Sequence, residues 1–265
     1  MPCYDPRVRD HPLNTLGNQA FARGDLAAAL RYYQQALDAE RRTGSDRSLA
    51  VTLGNLANVY ASMGRRDEAE GLYRQILEIE RRLGDERQIA LTLLHLGNLA
   101  ADALETSRAR AHYLESRDLL SRLGETGALG VLYQNMGLLA REVGEYQEAV
   151  GAFESAIELM RRADDRRGIA AVYTNLGRTY HLMGRLDEAL ACCSTSHAMA
   201  ERAGDELAIA SARYHLAGIC EARGDRTAAI AHLRIVVDID RRYGLPKYRE
   251  NRARLAVLER EATPG

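Results

Sequence analysis

The stretch NLGRTYHLMGRLDEAL at 175–190 decides the fold, because its layout recurs in phase along the chain. TLGNQAFARGDLAAAL at 15–30, NLANVYASMGRRDEAE at 55–70 and NMGLLAREVGEYQEAV at 135–150 all superimpose on it at a 40-residue period. Self-similarity at a period of this size is the signature of a repeat array, in which each unit is one supersecondary element.

Glycine marks the period. Gly24, Gly64, Gly144, Gly184 and Gly224 share one phase, Gly44, Gly84, Gly124, Gly204 and Gly244 a second, and Gly17, Gly97, Gly137 and Gly177 a third. These make fourteen of the 22 glycines, so glycine is positional here. Between them apolar residues recur at helical spacing. In the second unit Leu53, Leu56, Ala57 and Tyr60 form one stripe, and Ala69, Tyr73, Ile76 and Leu77 form another. Each unit therefore reads as two antiparallel helices, A then B. The first glycine phase ends A and the second ends B, each in a left-handed turn residue. Asp85, Asp165 and Asp205 follow the second phase and are placed to cap the next helix A. Strand signals are absent.

One column is alanine in all six units: Ala29, Ala69, Ala109, Ala149, Ala189 and Ala229. Opposite it the spacing places Gly17, Ala57, Gly97, Gly137, Gly177 and Ala217, and these small residues are expected to let A and B approach closely. Leu16, Leu56, Leu96, Met136, Leu176 and Leu216, with Tyr33, Tyr73, Tyr113, Phe153, Cys193 and Leu233, are expected to fill the space around that contact.

At these residues the chain resembles the tetratricopeptide repeat family, over about residues 10–249. The long unit, with LGN at 16–18, 53–55 and 96–98 and RLGD at 82–85, is most similar to the subclass of Leu-Gly-Asn-repeat adaptors, kinesin light chains and bacterial sensor domains. The resemblance implies an all-α, right-handed superhelical solenoid of six helix-turn-helix units plus a C-terminal capping helix. The expected organisation is a lead-in at 1–9, six units as one solenoid domain at 10–249, and a cap at 246–262. The cap reads as a solvating helix with Leu255 and Leu258 inward, arginines outward and Pro246 at its first helical position. At the other end, Pro6 behind Asp5 suggests one helix start and Pro12 argues for a later one near Asp10. Unit three departs from the pattern, with Leu104 for the turn glycine and Ser116 at a usually apolar or alanine position; a local bend and tolerated drift are both open.

Composition bounds the function. Lys plus Arg is 36 against 37 Asp plus Glu, which argues against a nucleic-acid binder working through bulk charge. Lys247 is the sole lysine. Four cysteines in 265 residues make no disulfide framework and fit a reducing, cytoplasmic setting. The N-terminal MPCYDPRVRD has no apolar signal segment, and no stretch approaches a membrane span.

Chemistry is scarce. No phosphate loop, metal spacing or nucleophile elbow occurs, and the expectation is a non-enzyme without cofactor or metal. His181, Cys192, Cys193, His197, His215 and Cys220 form a loose group in units five and six, read as core packing because Cys193 and Cys220 stand at buried columns. The pairs Arg41-Arg42, Arg81-Arg82, Arg161-Arg162 and Arg241-Arg242 fall in last turns of B helices, where they complement the helix dipole.

The informative polar residues lie on helix A, away from its apolar stripe. Asn18, Asn58 and Asn98 occupy one column; Asn55, His95, Asn135, Asn175 and His215 occupy the next, three residues away on the same face. By the resemblance, this face lines the concave groove. Asparagine is a mediocre helix-interior residue. Its repetition has two readings: amides bridging neighbouring A helices, or a ladder of donors and acceptors that holds an extended peptide backbone. The ligand role is favoured, since the resembling adaptors use such a ladder. Anchors are expected from Leu91, Leu94, Leu138 and Tyr214 for packing and from Arg141, Arg178, His181 and Glu221 for charge, with Arg178 meeting an acidic partner residue. A chaperone-cofactor carboxylate clamp is not expected. Asn18 and Asn55, or Asn98 and Asn135, match its asparagines, but Asn14, Leu91, His95, Leu94, Ala171 and Asn175 stand where its cations belong.

The expected function is a protein-interaction scaffold for an extended segment. The alternatives are a peptide- or metabolite-sensing module of a bacterial regulator and an enzyme accessory. Neither nucleic acid nor membrane is an expected partner, and homo-oligomerisation through edge helices stays open.

Overall fold

A computed structural model describes residues 12–43 and 45–262. The lead-in at 1–9, the start near Asp10 and Gly44 lie outside the described residues. All regular structure among the described residues is α-helical, and the helices come in pairs. The chain divides into two compact units, one ending at Gly124 and one beginning at Glu125.

Unit 1 contains α1 (Pro12–Ala22) and α2 (Leu26–Thr43), α3 (Asp46–Ser62) and α4 (Arg66–Leu83), and α5 (Glu86–Asp102) and α6 (Thr106–Leu123). Unit 2 contains α7 (Thr126–Glu142) and α8 (Tyr146–Arg162), α9 (Arg166–Leu182) and α10 (Leu186–Ala203), α11 (Glu206–Ala222) and α12 (Arg226–Tyr243), and then α13 (Tyr248–Ala262). In each pair the first helix packs on the second, and each B helix packs on the A helix that follows it within its unit. A helices also touch in series, α1 on α3 in unit 1 and α7 on α9 on α11 in unit 2. α13 packs on α12.

The turn chemistry follows the glycine phases. Gly24, Gly64, Gly144, Gly184 and Gly224 after the A helices, and Gly84, Gly124, Gly204 and Gly244 after B helices, all have positive φ. Two side-chain-bearing residues hold the same conformation where glycine is missing: Leu104 at φ 61° and Asp164 at φ 51°. Leu104 therefore produces no bend; the turn is conserved and its left-handed backbone is imposed on a leucine, a conformation that costs an L-residue about 1–2 kcal/mol. Asp85, Asp165 and Asp205 accept from the backbone N–H three residues on, capping α5, α9 and α11. Asp25 and Asp225 cap the B helices α2 and α12 in the same way.

The alanine column is fully buried in all six pairs. The small-residue column, however, faces the aromatic column rather than the alanines. A Cβ at Gly17 or Gly97 would enter the ring of Tyr33 or Tyr113, and one at Gly137 would lie 2.7 Å from Phe153 Cε1. At Gly177 the neighbour is the Cys193 sulfur, together with the backbone oxygen of Ala189. Glycine here makes room for the ring that wedges between A and B. The leucine column is buried at Leu56, Leu96, Leu176 and Leu216, but Leu16 is 42% exposed. Ser116 is buried and donates to the carbonyl of Ala90 at 2.7 Å. Ser196 repeats this with Ala170 at 2.8 Å, so the hydroxyl ties a B helix to the preceding A helix.

At the C-terminus Leu255 is buried and Leu258 packs beside it. Pro246 lies in the turn, two residues short of the first helical position expected for it. Arg254 also departs from expectation: it points inward, at 28% side-chain exposure, onto Glu221.

Candidate functional site

In unit 1 the first asparagine column is tied to the second helix of its own pair. Tyr33 donates to Asn18 Oδ1 at 2.7 Å, Tyr73 to Asn58 Oδ1 at 2.6 Å and Tyr113 to Asn98 Oδ1 at 2.8 Å. Each pair is fifteen residues apart, and each buried phenol thereby gains its partner. The coupling is visible in the sequence: where the tyrosine becomes Phe153, Cys193 or Leu233, the asparagine becomes Leu138, Arg178 or Gly218. One carbonyl oxygen per amide thus has a structural task, and it bridges A to B within a pair rather than one A helix to the next.

The second column is more deeply set. Asn55 is 4% exposed. The His95 ring stacks on Tyr73 at 5.1 Å between centroids and 7° between planes, and burial pushes its pKa down to about 4. His95 is a neutral packing residue on the far side of the Tyr73–Asn58 pair. Asn14, ahead of both columns, is buried and donates to Thr52 Oγ1 at 2.8 Å. Asn18, Asn55 and Asn58 nevertheless converge with Phe21, Tyr33 and Ser62 on a cavity of about 370 Å³ between α1 and α3. Leu94, expected as an apolar anchor, is buried at 6% exposure and has no free face to offer.

Unit 2 is cationic where unit 1 is amidic. Arg141 on α7 is buried at 6% exposure; Nη1 donates to Asn175 Oδ1 on α9 at 3.2 Å and Nη2 to Glu142 at 3.2 Å, while Nε has no hydrogen-bond partner. Burial, then the nearby Arg178, lowers its pKa. Leu138, on the same helix, packs against the core of unit 2. Asn135 stands on the same helix at partial exposure.

Arg178, His181, Tyr214 and His215 line a cavity of about 730 Å³ between α9, α11 and α13. His215 and Ser211 also line a second cavity, of about 520 Å³, which reaches Asn175 and Arg167. His215 and Ser211 form the wall the two share. Burial, then Arg178, Arg141, His181 and Lys247, push the His215 pKa down to about 4, so the imidazole is neutral in a positive field. The second cavity has a counterpart in unit 1 that is filled: the corresponding space around Glu80, Arg47 and Thr92 is only about 30 Å³. Ala200 stands where Glu80 stands in unit 1, and the shorter side chain leaves the space open.

Sequence reasoning missed the contribution of α13. Asn251, Lys247 and Arg254 line the 730 Å³ cavity. Lys247 Nζ lies 5.4 Å, and Arg254 Cζ 5.2 Å, from the centroid of the Tyr214 ring. The signal available was the one lysine of the chain, in the turn that leads from the last repeat into the cap.

The cysteine group is packing. Cys193 is fully buried, and burial pushes its thiol up to about 12 and that of Cys192 up to about 11, which keeps both protonated. Among the described residues no three His, Cys, Asp or Glu side chains converge as a metal site requires. No helix among them is long and apolar enough to cross a membrane.

Residues 11–82 and 168–242 match one model of the tetratricopeptide repeat, and residues 128–167 match another. No curated protein sequence matches the chain. Among solved structures, BtubC from P. vanneervenii is similar at 20% identity and a TM-score of 0.73, covering 83% of this chain and 92% of its own. A Rap protein complexed with Competence and Sporulation Factor is similar at 16% identity and 0.70, covering 94% and 74%. A STAND signal-transduction ATPase with a tetratricopeptide repeat sensor from Pyrococcus horikoshii gives 16% and 0.71, covering 93% of this chain and 38% of that one. At such identities the likeness is one of fold.

Proposed function

We propose that this chain, which belongs to the tetratricopeptide repeat family, is a non-catalytic interaction module that holds an extended protein segment on its A-helix faces. The carrying observation is the cavity of about 730 Å³ on α9 and α11, lined by Arg178, His181, Tyr214 and His215. Cavities of this size admit several side chains, and polar groups that converge on an apolar wall orient what enters. Arg178 is exposed and has no acidic partner among the described residues, so its charge is available to a ligand carboxylate. In unit 1 the amide nitrogens of Asn18 and Asn58 remain for a ligand's backbone carbonyls, their oxygens being engaged by tyrosine. The Rap protein among the similar structures is itself complexed with a named factor, which supports a peptide ligand here.

The sensing module of a regulator is the second reading, supported by the STAND protein, whose repeat array is a sensor. Both readings use the same face and take the same test. Selection from a displayed library of random peptides should yield extended sequences sharing an acidic position. Arg178→Ala and Asn175→Ala should each weaken the selected peptide about tenfold; the thermal transition should be unchanged in the first and lowered in the second, where the buried Arg141 loses an acceptor. Absence of any selected peptide, or peptides indifferent to both substitutions, refutes the proposal.

A further inference from the structure

We infer that the capping helix α13 is half of a binding site: with α9 and α11 it forms a cationic pocket for paired carboxylates in an acidic protein segment. The inference rests on the interaction reading above and names the chemistry its unit 2 face selects.

The pocket has three cationic side chains, Arg178 of α9 on one wall and, on the other, Arg254 of α13 and Lys247 of the turn before it. Arg254 is held in place. Its Nη2 donates to Glu221 Oε1 at 2.6 Å, and its guanidinium lies over the Tyr214 ring, as does the Lys247 ammonium. The Tyr214 ring thus holds Arg254 and the Lys247 just before α13 by cation–π contact, which keeps them at the wall without neutralising them. Asp240 is the one acidic residue in the lining, and it is buried beneath Asn251, which donates to it at 2.8 Å. Glu221 is engaged by Arg254. Among the described residues Arg178 and Lys247 have no acidic partner, so two full charges face the cavity uncompensated.

Four of the other ion-paired arginines show the contrast. Arg82, Arg122 and Arg242 on B helices, and Arg223 at the end of the A helix α11, all reach acidic residues on neighbouring helices. In a chain of formal charge −1, with carboxylates spread along every unit, a pocket left positive is a selective feature. Two separated cations specify two acids rather than one. A cavity of about 730 Å³ is far larger than a single inorganic anion requires and suits the side chains of an extended segment. The two positive walls sit on different helices, so a single-charge ligand would leave one wall unsatisfied.

The probe is fluorescein-labelled hexaglutamate, with hexaglutamine as its neutral isostere, read by anisotropy on the full chain. Hexaglutamate should bind and hexaglutamine should not, with affinity falling as salt is raised. Arg178→Gln and Lys247→Gln should each weaken binding about tenfold or more, and the double variant should abolish it. Arg74→Gln, on an exposed pair in unit 1, should leave it unchanged, and the thermal transitions of all four variants should match the parent's. Since Lys247 is the sole lysine, its acylation by an activated ester, followed by peptide mass mapping, should be slowed by hexaglutamate and not by hexaglutamine. Equal binding to the double variant, or unprotected acylation, overturns the inference. So does inorganic pyrophosphate competing as well as hexaglutamate, which would make the pocket a small-anion site. If library-selected peptides still depend on Asn175 and Arg178 but not on Lys247, the interaction module survives and the role of α13 falls.

Discussion

Tyr73 donates its phenolic hydrogen to Asn58 Oδ1 at 2.6 Å, and the His95 ring stacks on its far face at 5.1 Å. One tyrosine therefore joins a B helix to its own A helix by a hydrogen bond and to the following A helix by a ring contact. The asparagine that looks like a ligand residue in sequence is in the first place the partner of a buried phenol. This relationship changes what substitution at the asparagine column should do.

Asn58→Ala should lower stability by about 1 kcal/mol, because the Tyr73 hydroxyl loses its acceptor. Tyr73→Phe should cost a similar amount, and the double variant less than the two together. Urea denaturation of the four proteins measures the coupling; strictly additive costs would show that the pair has no structural role.

Glycines in helices should divide by their neighbours. Gly97→Ala drives a methyl into the Tyr113 ring and should destabilise by about 1–3 kcal/mol. Gly71, inside α4, has nothing within 4 Å of a new Cβ, so Gly71→Ala should stabilise by about 0.5–1 kcal/mol through helix propensity. Thermal melts of both variants suffice, and a matching sign in the two would contradict the packing described.

Leu104 holds φ 61° while 84% exposed, so it has strain and little packing. Leu104→Gly should raise stability by about 0.5–1 kcal/mol, the relief of strain less the greater chain entropy of glycine. Asp164→Gly should change little, since aspartate tolerates the left-handed region. A loss of stability in the Leu104 variant, seen by denaturant titration, would mean that its side chain packs in solution.

Burial raises the Glu80 pKa to about 7, opposed by a hydrogen bond from Thr92 and reinforced by Asp85. The folded state thus binds a proton that the unfolded state releases near pH 4.5, and this contribution to stability is lost as pH rises from about 4.5 to about 7. Glu80→Gln keeps the Thr92 contact without the charge. It should be more stable than the parent by about 2 kcal/mol at pH 8 and near parity at pH 4. Parallel stability profiles of the two proteins across that range would disprove the shift.

Periodicity made the helix pairs legible, since glycine with positive φ and alanine without volume are local requirements that six units repeat. Capping by Asp85, Asp165 and Asp205 was equally readable, because an N-cap acts three residues along the chain. The composition of the A-helix face was readable too; which of its residues are open was not. Leu94 and Arg141 share the face pattern with Arg178 and His181, yet the first two are buried and the last two border a cavity. Accessibility depends on how neighbouring pairs stack and on what lies across from each residue, as when Ala200 opens a space that Glu80 closes. Tertiary structure alone also turned Arg254 and Lys247 of the cap toward Tyr214. Contacts between residues about 35 apart are set by packing geometry. Helical spacing specifies which side of its own helix a residue occupies and leaves open what that side meets.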